Sequence, residues 1–141
     1  MGPRDTGTGD VLEQMAIPSL RRGGYQILKH QNVGKRLGDG KHIVDIVAWK
    51  EDGKRLLVSL KWQQVSGTAE QKIPFEMICL INAIQESKGL YDGAYIVMGG
   101  KGWHLRDAYV NGELSKYING SSLVKLVELD DFVQLANQGK L

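Results

Sequence analysis

Two β-rich runs, Lys41–Lys50 (KHIVDIVAWK) and Lys54–Gln63 (KRLLVSLKWQ), are separated only by Glu51-Asp52-Gly53. So short a Gly-containing connection between strand-like segments predicts a β-hairpin. With the turn centred on Gly53, Val44 faces Trp62, Ile46 faces Leu60 and Ala48 faces Val58, and one face is apolar. The other face sets Asp45 against Lys61 and Val47 against Ser59. An acid, a lysine and a hydroxyl then gather at the open end of the hairpin. A slip of one residue would turn Asp45 into the apolar face, which favours this register. Apolar neighbours on both strands predict a central hairpin. There an acid and a lysine need partners, and a bound metal with a phosphate would satisfy both. The alternative is a surface ion pair contributing about 0.2–1 kcal/mol.

Around the hairpin the spacing predicts an order of elements. Asp10 would cap a helix to Leu20, with Val11, Leu12, Met15 and Ile17 in apolar spacing, after a frayed Gly2–Gly9. Gly23-Gly24 stops it. Tyr25–His30 reads as a strand and Gln31–Gly40 as a polar loop. Ile73, Met77, Leu80, Ile81 and Ile84 mark a helix within Ala69–Ser87. Pro74 would sit in its first turn, placing the start near Ile73. A strand at Tyr91–Met98, a helix at Leu105–Ile118, a strand at Leu123–Leu129 and a helix at Asp130–Asn137 complete the chain. The expectation is a mixed α/β sheet flanked by helices, in a single domain over 1–141.

Composition narrows the function classes. Hydrophobic residues make up 42% and charged residues 24% of 141 residues, as in ordinary globular proteins. No apolar run reaches the roughly 20 residues that a bilayer requires, and residues 1–20 hold none of signal-peptide length. The single cysteine, Cys79, excludes an internal disulfide framework and fits a reducing, intracellular (cytoplasmic) setting. One Cys and three dispersed His argue against a structural zinc cage. His30, His42 and His104 form no legible Ser-His-Asp or Cys-His set. The net charge of +2 hides an asymmetry. Residues 1–72 hold twelve Lys/Arg against eight Asp/Glu, and 73–141 hold six against eight. Arg21, Arg22, Lys29, Lys35, Arg36 and Lys41 cluster in the basic half, as a polyanion-binding surface would require; a solvated mixed surface is the plainer alternative.

The segments Gly38-Asp39-Gly40-Lys41-His42-Ile43-Val44-Asp45 and Val58-Ser59-Leu60-Lys61-Trp62-Gln63 resemble the motif of the PD-(D/E)XK nuclease superfamily, an acid on one strand and acid-x-Lys on the next. The restriction-endonuclease-like core of that superfamily, α-β-β-β-α-β, is similar in order to residues 10–98, leaving 99–141 as a C-terminal α-β-α extension. By this resemblance Asp45 is the first acid and Lys61 the lysine. Gln63 resembles a glutamine that several branches carry, and Glu13 a further acid on the first helix. Val44 stands where a proline is loosely kept. Ser59 stands in place of the second acid.

Three explanations for Ser59 compete: migration of the acid to the following helix, replacement of an acid to abolish activity, and a natural pseudonuclease. Under migration Glu76, fifteen residues after Lys61, has the more suitable distance, with Glu70 the other candidate. The resemblance implies Mg²⁺, or Mn²⁺ as substitute, on Asp45, Glu76 and the Leu60 carbonyl, polarising a phosphodiester and acidifying a bound water. Lys61 would orient or deprotonate that water and stabilise the transition state. Glu13 would orient Lys61 or hold a second metal.

The expected function is a metal-dependent DNA endonuclease of restriction, homing or junction-resolving type, working as a homodimer. The alternative is a catalytically disabled module of the same fold, binding DNA or a protein partner. Ser59, His42, Lys41, Arg36 and Lys101 are candidates for substrate contact. Gly99-Gly100-Lys101-Gly102 lacks the Lys-Ser/Thr of a nucleotide P-loop, so it is considered only for backbone contact, together with His104. Trp62 points to the apolar face and is expected in the core.

Overall fold

The computed structural model describes residues 4–51 and 53–141, with side chains described from Val11 onward. The elements are α1 (Arg4–Arg22), β1 (Gln26–Lys35), β2 (Lys41–Trp49), β3 (Arg55–Trp62), α2 (Ala69–Glu86), β4 (Gly93–Gly99), α3 (Arg106–Val110), β5 (Val124–Glu128) and α4 (Leu129–Asn137). Two 3-10 turns, Glu113–Lys116 and Ser121–Leu123, lie between α3 and β5. The order α-β-β-β-α-β, then α-β-α, is the mixed α/β architecture expected. One sheet runs β1-β2-β3-β4-β5. Its first three strands are antiparallel, and β3, β4 and β5 are parallel. Among the described residues no helix is long and apolar enough to cross a membrane.

Helices cover both faces of the sheet because both faces are apolar. On one side Val47, Leu57, Ile96, Met98 and Leu126 pack against Ile73, Met77, Leu80 and Ile84 of α2. On the other, Ile46, Ala48, Leu56, Val58 and Val97 meet Leu12, Ala16 and Leu20 of α1 and Phe132 and Ala136 of α4. Each buried Leu, Ile or Phe contributes about 1.5–3 kcal/mol. Trp62 packs on the α1 side, as expected.

Several boundaries differ from expectation. The α1 backbone is helical from Arg4, so Asp10 lies inside the helix and does not cap it. Gly7 and Gly9 each disfavour helix by only about 1 kcal/mol, too little to stop it. Residues 1–3 of the segment expected to fray lie outside the described residues. The expected loop Gln31–Gly40 is mostly strand: β1 continues to Lys35, pairing Gln31 with Val44 and Asn32 with Ile43. Its polar sequence suits an edge strand, whose outer face meets water. The helix α2 begins at Ala69, so Pro74 is its sixth residue. The expected helix Leu105–Ile118 ends at Val110, and the chain turns at Gly112, which has φ 81°.

The hairpin register also differs. Ile46 pairs with Val58 and Ala48 with Leu56, two residues from the expected partners. The turn closes earlier than a Gly53 centre implies, with the Gly53 N–H donating to the Lys50 carbonyl at 3.2 Å. Because side chains alternate with period two, a shift of two leaves every β3 residue on its expected face. The cross-strand oppositions Asp45–Lys61 and Val47–Ser59 are lost, and Val47 faces Leu57.

Candidate active site

The β2–β3 ladder runs from Trp49–Arg55 only as far as Ile46–Val58, whereas β3 stays paired to β4 up to Trp62–Gly99. The hairpin strands therefore part at Asp45. There the Asp45 carboxylate accepts the Leu60 N–H at 2.7 Å, standing in for a strand partner. The fork is a cleft of about 260 Å³ lined by Arg36, Lys41, His42, Ile43, Asp45, Ser59, Lys61 and Glu76. A larger groove of about 550 Å³ beside α3 and β5 is lined mainly by apolar side chains and has no carboxylate in its wall.

The cleft's polar groups come from several elements, with Lys41, His42 and Asp45 all on β2. Asp45 comes from β2, Ser59 and Lys61 from β3, and Glu76 from the second turn of α2. The buried His42 Nε2–H donates to Glu76 at 3.4 Å, while its Nδ1 is buried with no partner. Burial pushes the Glu76 pKa up. The His42 hydrogen bond, the Lys61 charge and the Ser59 hydroxyl together outweigh burial and hold it below the ordinary value. Asp45 moves the other way. Burial raises its pKa, with Glu13 and Glu76 adding repulsion, and the Leu60 N–H and Lys61 only partly compensate. Glu13 of α1 approaches Asp45 from the opposite side of the sheet edge. It bonds His30 at 2.9 Å and Lys29 at 3.3 Å, and Glu13, His30 and Asp45 offer ligand atoms within 4.8 Å of one another.

Glu13, Asp45 and the His30 imidazole make a donor set that fits a divalent cation, and Glu76 shares the adjoining cleft with Asp45. The match to known families decides what this arrangement belongs to: the profile of the PD-(D/E)XK nuclease superfamily domain covers residues 4–140. The chain belongs to the PD-(D/E)XK nuclease superfamily. Members of this superfamily generally use divalent metals. No curated protein matches the sequence significantly. Among solved structures, the crystal structure of a protein of unknown function, AF1548, is similar in fold, with a TM-score of 0.53 at 19% identity. The match covers 86% of this chain and 56% of that one, so the chain spans just over half the length of this relative.

Within this PD-(D/E)XK domain, the sequence candidates separate into two groups. Asp45, Ser59, Lys61, Glu76, His42, Lys41 and Arg36 share the cleft, and the Leu60 N–H is bonded to Asp45. Glu13 reaches Asp45 from the far side. Gln63, Glu70 and Lys101 lie elsewhere. The Gln63 side-chain amide donates to the Gly102 carbonyl at 2.7 Å and to Glu70 at 3.0 Å, and its oxygen accepts the Ala69 N–H. Glu70 also accepts the His104 and Leu105 N–H groups. Lys101 lines a separate depression beside Trp62 and Gln64. The glycine loop is committed to packing: Gly100 has φ 91°, and a Cβ there would lie 2.4 Å from the Gln63 carbonyl oxygen. These bonds knit the exit of β3 to the exit of β4 and place no donor in the cleft.

His30, which lies within 4.8 Å of Glu13 and Asp45, was not among the sequence candidates. It nears Asp45 only through the β1–β2 register, at the residue where the first strand was expected to end.

Proposed function

We propose that the chain is a metal-dependent endonuclease that hydrolyses phosphodiester bonds in DNA. The observation that carries this reading is Glu76: its carboxylate, held ionised by His42, Lys61 and Ser59, shares a cleft with Asp45 and Lys61. That supports migration of the second acid from Ser59 to α2. Ser59 then acts as a hydroxyl donor to the acid that replaces it. Asp45 and Glu76, with the Leu60 carbonyl, would hold Mg²⁺ or Mn²⁺, which supplies charge neutralisation and an acidified water when bound. Lys61 orients that water and places positive charge where the phosphoryl oxygens gain negative charge in the transition state. Arg36 and Lys41, at the mouth of the cleft, meet flanking phosphates and fix the strand without reading its sequence.

Each chain carries one such site, so cutting both strands requires two copies, and a two-fold pair suits a restriction, homing or junction-resolving substrate. The test is cleavage of supercoiled plasmid in Mg²⁺ or Mn²⁺. Wild type should nick it, Glu76→Gln should lower the rate about 10²–10³-fold, and Ser59→Ala should change it little. If wild type is inert and Ser59→Glu cuts, the chain is a disabled nuclease that binds its target.

A further inference from the structure

The β1–β2 ladder pairs Lys29 with Ile46 and Gln31 with Val44, which sets His30 opposite Asp45. His30 has φ 53°, a left-handed conformation inside a strand. Non-glycine residues seldom adopt it, and those that do cluster at active sites and ligand clamps. In a regular strand adjacent side chains point to opposite faces. Here Lys29 and His30 both reach Glu13. The left-handed residue breaks the alternation and turns the imidazole in between two carboxylates. His30 is exposed, so no demand of core packing accounts for this conformation.

We propose that His30 is a metal ligand, and that Glu13, His30 and Asp45 hold a divalent transition ion such as Mn²⁺ in preference to Mg²⁺. This deepens the nuclease reading and rests on it. The three ligand atoms lie within 4.8 Å of one another. An ion bonded to N and O at about 2.0–2.2 Å keeps its ligands roughly 3–4.4 Å apart, so the trio needs only a small closure. One Asp45 oxygen accepts the Leu60 N–H, which leaves the other for the ion. Imidazole nitrogen suits first-row transition ions, among which Mn²⁺ is the one nearest Mg²⁺ in its preference for oxygen, whereas Mg²⁺ favours an all-oxygen shell and retains its waters. Asp45 is shared between this trio on the α1 side and Glu76 on the α2 side.

Pulsed electron paramagnetic resonance of Mn²⁺ bound to the full chain tests the proposal without relying on activity. Wild type should show the ¹⁴N modulation of a directly bound imidazole. His30→Asn should lose it and weaken Mn²⁺ binding about tenfold or more, with circular dichroism confirming the fold. Asn is chosen because it tolerates a left-handed backbone. His42→Gln should keep the modulation, which reads the ligand independently of any change at position 30. Mn²⁺ bound without nitrogen coupling, or a coupling that survives His30→Asn or vanishes in His42→Gln, overturns the proposal; plasmid cleavage would leave the nuclease reading standing in that event. Absence of Mn²⁺ binding also overturns it, and if cleavage is absent as well, both readings fall.

Discussion

Asp45 is held in a state that folding alone would not choose. Its carboxylate is mostly buried beside Glu13 and Glu76, and its pKa lies above the ordinary 3.8. A carboxyl whose folded pKa is raised begins to lower stability as pH rises through its unfolded pKa, and the full cost is reached above the folded pKa, because the charged form is the one disfavoured. Asp45→Asn should therefore abolish cleavage yet raise Tm at pH 7 by a few degrees, since about 1 kcal/mol moves Tm by roughly 2–8 °C for domains near this size. The gain should vanish below about pH 3.8, where the wild-type carboxyl is neutral in both states. Calorimetry across pH checks this, and a lowered Tm at pH 7 would mean that Asp45 is structural. Lys61→Met should lower the cleavage rate about 10²–10³-fold with the fold intact, measured by plasmid nicking beside circular dichroism.

At the scale of elements, α2 survives a proline that sequence rules would move to its first turn. Pro74 has no N–H to give the carbonyl four residues earlier, which belongs to Glu70. The Tyr109 hydroxyl donates to that carbonyl at 2.7 Å from α3. Tyr109→Phe should thus leave a buried carbonyl unpaired and destabilise by about 1–3 kcal/mol, measurable by urea unfolding. The Glu70 side chain ties the same corner together. Burial pushes its pKa up, but the N–H groups of His104 and Leu105 and the Gln63 amide outweigh this and hold it below 4.5. A depressed carboxylate stabilises fully above its unfolded pKa and loses that contribution as pH falls through its folded pKa. Glu70→Gln should cost about 1.5–3 kcal/mol at pH 7, with the gap closing below about pH 4.5. Urea melts at several pH values would show it as a flatter acid limb for the variant. None of this was legible beforehand. Tyr109 and Glu70 are 39 residues apart, and Glu70 entered only as a possible migrated acid.

At the scale of the molecule, the basic first half supplies the cleft's rim through Arg36 and Lys41. If three or four such cations meet phosphates, DNA affinity should fall roughly 40- to 150-fold between 50 and 200 mM salt. Fluorescence anisotropy with labelled duplex would measure the slope, and a salt-independent affinity would exclude a polyanion partner. Light scattering with and without DNA would test whether two copies assemble.

The hairpin, the order of its neighbours and the facing of Asp45, Ser59 and Lys61 were present in the sequence. Period-two alternation and helical spacing are local signals, and a register error of two residues leaves the β3 faces unchanged, whereas Val44, expected beside Ile46 and Ala48, packs on the α2 side. The motif, by resemblance, also pointed to Asp45 as the acid and Lys61 as the lysine, and the structure sets both in one cleft. What the tertiary structure alone decided is where the strands part, which acid from α2 enters the gap, and that His30 on the edge strand turns toward Asp45. These depend on contacts between residues far apart in the chain: Asp45 with the Leu60 N–H, His42 with Glu76, and Glu13 with His30. No local pattern encodes such contacts, because packing the helices on the sheet brings the partners together only after each element has formed.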